Sequence, residues 1–168
     1  MKTKTDLEII RFSNPLLEEK SEPVKEFNNG LKEFIQEMFS TMYKGKGMGL
    51  AAVQVGNLLR IFICHVPKDK ARVFINPEII ETSIEQNTFE EGCLSIPEVY
   101  ADVTRSAYIS IQAVNEKGKP FRLDAQDMLA RVIQHEIDHL EGILFLERIK
   151  KRKRERLIKS FLKKVKGL

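Results

Sequence analysis

The segment HEIDHLEGILF, residues 135–145, sets His135 and His139 four positions apart with Glu136 directly after the first. Four residues is just over one helical turn, so both imidazoles can aim a ring nitrogen at one point while Glu136 stands about 100° round the axis. These are the donors of a metal hydrolase. Two neutral imidazoles and a third ligand hold a divalent ion, an open position takes water whose pKa falls to about 7, and the carboxylate takes and returns the proton. Two of the three histidines in the chain stand at this spacing, which argues against an unrelated surface pair.

The third donor decides the class of enzyme. In the arrangement H-E-x-x-H-x-x-G-x-x-H another histidine completes the site; the chain follows that pattern through Gly142 and then places Phe145, which binds no metal, at the required position. A downstream carboxylate would have to be Glu141, Glu147 or Glu155, the first too close on the helix and the last inside a basic tail. Upstream, EEGCLSIP at 90–97 puts Cys93 between a glycine and a Leu-Ser-Ile-Pro stretch expected to be extended, so that its thiol is held against the helix from across a sheet. A thiolate with two imidazoles suits a borderline metal ion. Cys64 competes, but it stands in the apolar run IFICHV, where a small buried thiol is the simpler reading. Its neighbour His65 would face the opposite side of that strand, as a surface residue.

The elements that must position these groups follow from periodicity. Leu31, Phe34, Ile35, Met38, Phe39, Met42 and Tyr43 recur at helical spacing after Asn28-Asn29 as a cap, with Gly45 and Gly47 as the stop. The runs LLRIFICHV, VFINPEII and AYISIQAV predict strands, and NEKGKP at 115–120 a hairpin turn before FRL. Asp124 is expected to cap the next helix, with Asp127 returning the hydrogen bond, and Met128 to Leu140 then runs to Gly142. A last helix over about 150–166 carries Leu157, Ile158, Phe161, Leu162 and Val165 on one stripe. The expectation is α+β: antiparallel sheets around a central metal-binding helix, with an N-terminal amphipathic helix and a C-terminal helix, in a single catalytic domain over 1–168.

A further stretch, GMGLAAVQ at 47–54, matches the weak dinucleotide pattern G-x-G-x-x-A, but a helix precedes it and a strand follows, the reverse of what that motif needs. Its glycines instead allow close backbone approach, and Gln54 supplies an amide donor. Taken in order, GMGLAAVQ, EGCLS and QHEIDHLEG resemble the three signature motifs of the peptide deformylases, and the lack of long insertions between them resembles the shorter bacterial type of that family.

The resemblance implies a hydrolase acting on a formamide C–N bond, which releases formate from the N-terminal formyl-methionine of newly made polypeptides. It implies Cys93, His135 and His139 as metal ligands, Glu136 as general acid and base, and the Gln54 amide with the Leu94 backbone N–H as donors to the oxyanion. Such donors are typically worth ~2.7–4 kcal/mol each. A Cys-His-His set accepts Zn, Fe(II), Ni or Co, and the resemblance favours Fe2+ in the cell, with Zn2+ the alternative.

Helix geometry places Val132 and Met128 on the face of His135; with Met48, Gly49 and Phe89, each in or beside a motif, they are candidates to bind the methionine side chain. Leu129, Ile133 and Leu140 fall on an adjacent stripe and are assigned to the core. Glu91 and Arg105 are candidates for the layer behind the ligands, since a ligand histidine commonly donates its other N–H to a fixed acceptor. Asp138 falls on the far side of the helix and is left out.

Composition bounds the rest. With 168 residues, 42% hydrophobic and 31% charged, the chain can bury a core without disulfides. The opening MKTKTDLEIIRFSNP holds no apolar run longer than Ile9-Ile10, which predicts no secretion signal, no membrane contact and a cytoplasmic setting in which both cysteines stay thiols. From Arg148 onward 11 basic residues face one acid, Glu155, a net of +10, which leaves 17 bases against 23 acids and −6 over residues 1–147. A basic helix on an acidic body suits contact with ribosomal RNA, while nothing reads bases and DNA is not expected. Two other classes fit part of the sequence: a small zinc metallopeptidase on the same His-Glu-His helix, and an RNA-binding protein with a purely structural metal, which leaves Glu136 and Gln54 without a purpose.

Overall fold

The computed structural model describes residues 6–167; the MKTKT opening read above and Leu168 lie outside them. Helix α1, Asn29–Lys44, starts where the Asn28 side chain accepts the Leu31 N–H at 2.9 Å and stops at Gly45. Its inward stripe is Leu31, Ile35, Met38 and Met42, whereas Tyr43 is half exposed.

Strands β1 (Gly49–Ala51), β2 (Ile61–Cys64) and β3 (Arg72–Thr82) follow, then a hairpin of β4 (Gln86–Cys93) and β5 (Ile96–Ser106), then β6 (Tyr108–Val114) and β7 (Pro120–Gln126). Five form one antiparallel sheet in the order β1-β2-β3-β6-β7, and β4-β5 is a sheet of its own. The β6-β7 turn is made by Asn115, whose side-chain oxygen accepts the N–H groups of Lys117 and Lys119, with Gly118 at φ +77°. The architecture is α+β with antiparallel sheets, as the patterning predicts.

Strand β2 shows how the layers close. Alternate side chains of a strand point to opposite faces. Phe62 and Cys64 join α2 (Asp127–Leu140), packing with Ala130, Ile133 and Leu140, while Ile61 and Ile63 join α1 with Met38 and Met42. A third apolar cluster lies under the β4-β5 hairpin, where Ile96, Val99, Ala101 and Val103 meet Leu17, Phe145, Leu146 and Phe161.

Two expectations need correction. Asp124 does not cap α2: it lies in β7 and accepts a hydrogen bond from Ser110 Oγ on β6, because the pairing runs on as far as Tyr108 and Gln126, and the helix begins after Gln126 with no side-chain cap. Leu94-Ser95 is not extended but forms the tight turn between β4 and β5. The last helix, α3 (Lys151–Val165), buries Phe161 and packs Leu157, Ile158 and Leu162 on the hairpin, but Val165 stays 65% exposed at its end.

Candidate active site

The three motifs arrive from three directions. Helix α2 presents His135, Glu136 and His139, all buried or nearly so; the end of β4 presents Cys93; and the short 3-10 turn Ala52–Val55 after β1 presents Gln54. Cys93 Sγ lies 3.3 Å from His139 Nε2, and one ligating atom each of Cys93, His135 and His139 falls within 4.8 Å of the others. Among the described residues this is the one cluster of three or more potential metal-ligating side chains. Glu141 instead pairs with Lys20 and Arg60, and Phe145 lays its ring against that of His135, centroids 6.0 Å apart.

The arrangement fits a metal ion. His135 Nδ1 meets Glu91 Oε1 at 2.8 Å, so the carboxylate accepts that N–H and leaves the Nε2 lone pair for an ion. Burial works against charge on His135, yet hydrogen bonding to Cys93 and Glu91 and the nearby Glu136 raise its pKa to about 10; a divalent cation satisfies the same negative field. His139 is driven the other way, well below the ordinary value, by burial and by the charge of His135, as suits a neutral ligand. The thiol adds a soft donor to two imidazoles. His139 Nδ1 and Glu136 Oε2 are buried without a protein partner.

Glu136 is held at close quarters. A Cβ on Gly49 would lie 2.5 Å from its Oε1 and 2.8 Å from Val132 Cγ1, so the backbone of β1 can pass this carboxyl only as glycine. Gly47 lies against the end of the Leu94 side chain, whose Cδ1 stands 2.8 Å from where a Cβ on Gly47 would be. Burial is the main reason that the Glu136 pKa rises to about 7, a value at which a carboxyl both accepts and returns a proton near neutrality.

Gln54 has its amide oriented by its own turn. Oε1 accepts the Ala51 N–H at 2.9 Å, which turns Nε2 toward Ser95 Oγ at 3.2 Å and Cys93 Sγ at 3.4 Å. Leu94 opens the β4-β5 turn directly after the thiol.

Behind the Cys-His-His cluster lies a buried network of charge. Arg105 on β5 grips Glu91 with Nε and Nη2 at 2.7 and 3.0 Å, and its Nη1 donates to Asp138 at 2.8 Å. Burial alone would raise the Glu91 pKa, but hydrogen bonds from His135 and Arg105 hold it well below the usual carboxylate range. Arg131 donates to Glu91 Oε2 at 2.7 Å and to the Val103 and Asn87 carbonyls, with its guanidinium 5.3 Å from the Phe89 ring centre. Arg148 adds two hydrogen bonds to Asp138.

Asp138 therefore belongs to the site's support, contrary to its omission from the sequence reading: it is 6% exposed, and Arg105 reaches both it and Glu91. Arg131 was not singled out, although its place four residues before His135 puts it on the same helix face. Among the pocket candidates, Val132 is buried against Gly49, Met128 is half-buried, and Met48 and Phe89 are 39% and 40% exposed. His65 is half-buried, tied by Nδ1 to the Tyr43 hydroxyl at 2.7 Å and by Nε2 to the Asp69 carbonyl at 2.9 Å.

A family model, polypeptide deformylase, matches residues 6–155. The chain belongs to this family. It is similar to the peptide deformylase of Treponema pallidum, 46% identical over 155 residues covering 92% of this chain and 95% of that one. The peptide deformylase of Brucella suis is 43% identical over 159 residues, 92% of this chain and 91% of that one. A crystal structure of peptide deformylase from Ehrlichia chaffeensis in complex with actinonin superimposes with a TM-score of 0.90 at 36% identity, covering 94% of this chain and 96% of that one. Family membership and the Cys-His-His cluster together give a deformylase site for a single metal ion.

Proposed function

We propose that Cys93, His135 and His139 hold the metal and that Glu136, Gln54 and Leu94 carry out the hydrolysis of N-terminal formyl-methionine. The observation that carries this assignment is the convergence of a thiol, two imidazoles and an oriented amide from three separate elements, with the buried Glu136 carboxyl close enough to act on His135. The bound ion supplies Lewis acidity that makes water nucleophilic near neutral pH. Glu136 accepts a proton from that water as its oxygen adds to the formyl carbon. Gln54 Nε2–H and the Leu94 N–H donate to the carbonyl oxygen as it gains charge. Glu136 then passes the proton to the nitrogen as the C–N bond breaks, leaving formate and the free amine. Met48, Gly49, Phe89, Met128 and Val132 receive the methionine side chain.

Of the metals this set accepts, Fe2+ fits the reading best in the cell, with Zn2+ the alternative. Elemental analysis of protein purified without air separates them, and rapid loss of activity on exposure to oxygen favours iron. The decisive assay compares formylated with unformylated Met-Ala-Ser: release of formate from the first supports the reading, and release of Ala-Ser from either points instead to a peptidase.

The substrate arises on chains leaving the ribosome, in the cytoplasm, and the exposed basic face of α3 acts in this reading as a tether to ribosomal RNA. Among the described residues no helix is long and apolar enough to cross a membrane. The apolar side of α3 already packs on the hairpin, so the tether is electrostatic and its binding is salt-sensitive. Glutamine at Lys159, Lys163 and Lys166 should lower co-sedimentation with ribosomes and leave turnover of a free formyl-peptide intact; undiminished co-sedimentation sinks the tether.

A further inference from the structure

A site whose donors come from three distant stretches of chain needs those stretches fixed against one another, and one segment touches the backbone of all three. The Ile10 N–H donates to the Gln54 carbonyl at 2.8 Å, and the Phe12 N–H to the Ser95 carbonyl at 2.8 Å. Between them, Arg11 Nη1 donates to the Leu94 carbonyl. Three consecutive residues thus bridge the 3-10 turn that carries Gln54 and the hairpin turn that carries Leu94.

The same segment continues to the ligand helix. It turns through Ser13 at φ +78° into the 3-10 turn Pro15–Glu18, which starts with Asn14 Oδ1 accepting the Leu16 N–H. The Ser21 N–H then donates to the Leu140 carbonyl at 2.9 Å. The Glu18 carbonyl oxygen stands 2.3 Å from where a Cβ on Gly142 would be, and Gly142 has φ +73°, so only glycine ends α2 beneath this turn. Leu17 is buried in the hairpin cluster and the half-buried Ile10 and Phe12 pack against it, Phe12 edge-on to Phe161 at 5.9 Å, which holds the segment down.

We infer that residues 10–21 form a strap that keeps the two oxyanion donors in register with the metal helix, and that Arg11 is a positioning residue of the reaction. A guanidinium on the Leu94 carbonyl restrains rotation of the Leu94 backbone, and with it the N–H on the other side of the same residue. The neighbouring bonds to Gln54 and Ser95 fix the distance between the elements. The inference rests on the roles assigned above to Gln54 and Leu94.

Arg11 is exposed, so its replacement tests positioning without threatening the fold. In the metal-loaded protein, Arg11→Ala should lower kcat about tenfold with KM within about twofold, the pattern of an interaction that matters in the transition state. Metal content should be unchanged, and amide hydrogen exchange across residues 93–96 should quicken. Arg11→Lys, which retains one donor, should recover most of the loss. Wild-type kcat in Arg11→Ala, or unchanged exchange at 93–96, overturns the strap. A fall in kcat that follows loss of metal also overturns it, since Arg11 would then act on the ligands. Failure of the wild-type protein to release formate would count against the proposed function instead, so the two readings fail separately.

Discussion

Helices α2 and α3 are 14 and 15 residues long and both are rich in charged residues, yet they use them in opposite ways. On α2 the residues Arg131, Glu136 and Asp138 are buried with both histidines, and Arg131 and Asp138 are bound to fixed partners on β4 and β5 or beyond α2. On α3 only Phe161 is buried; Lys151 meets Glu155 at 3.9 Å with both side chains mostly exposed. Buried ions must be paired or neutralised, whereas solvated ones interact weakly and are screened by salt. Charge on α2 is therefore positional, and charge on α3 acts only as a sum.

The contrast breaks first at Glu136. Glu136→Gln removes proton transfer and no ligand, so kcat should fall about 10^3-fold while metal analysis shows full occupancy; parallel loss of metal would contradict its role. Next is Arg105→Ala, which leaves Glu91 and Asp138 short of their shared partner. Removing one member of a buried pair costs about 3–5 kcal/mol, and disturbing a ligand's support costs about 10–100-fold in metal affinity. Urea unfolding and competition with a chelator measure the two effects.

A smaller effect concerns the apolar face beneath α2. Burial is the main cause that pushes the Cys64 pKa from 9.0 to about 12, with nearby Glu136 adding to it. The folded thiol therefore stays protonated while the unfolded one ionises. Its contribution to stability is full below pH 9 and is lost as pH rises from there to about 12. Unfolding midpoints between pH 9 and 11 should fall less steeply in Cys64→Ala than in the parent protein; equal slopes would mean that the thiol is not so shielded. Smallest of all, glutamine at Lys159, Lys163 and Lys166, on α3 and its C-cap, should change stability by no more than about 0.5 kcal/mol, measured in the same way.

The clustering on α2 was legible because His135, Glu136 and His139 lie within five residues, where spacing alone fixes direction. Cys93 was legible as a candidate among the remaining donors, and the resemblance of EGCLS to a signature motif favoured it over Cys64. The network behind them was half visible: Glu91 lies inside a motif, but a helical wheel gives the angle of Asp138 and not what packs there, and Arg105 arrives from the partner strand β5, outside every motif. Local pattern also misled at Asp124, where a good capping residue is claimed by Ser110 across the β6-β7 ladder. The strap had no signature at all, since its bonds to Gln54 and Ser95 come from backbone N–H groups that any side chain could accompany.

Strand β2 gives the clearest view of how this molecule opens. Its four residues are fully buried on both faces, and its neighbours on each side are strands of the same sheet. Neither α1 nor the ligand helix can swing away without exposing part of it, whereas α3 can fray while β2 stays covered. The Ile61–Cys64 amides belong to the least exchangeable unit of the chain, freed only when the whole cooperative structure is lost.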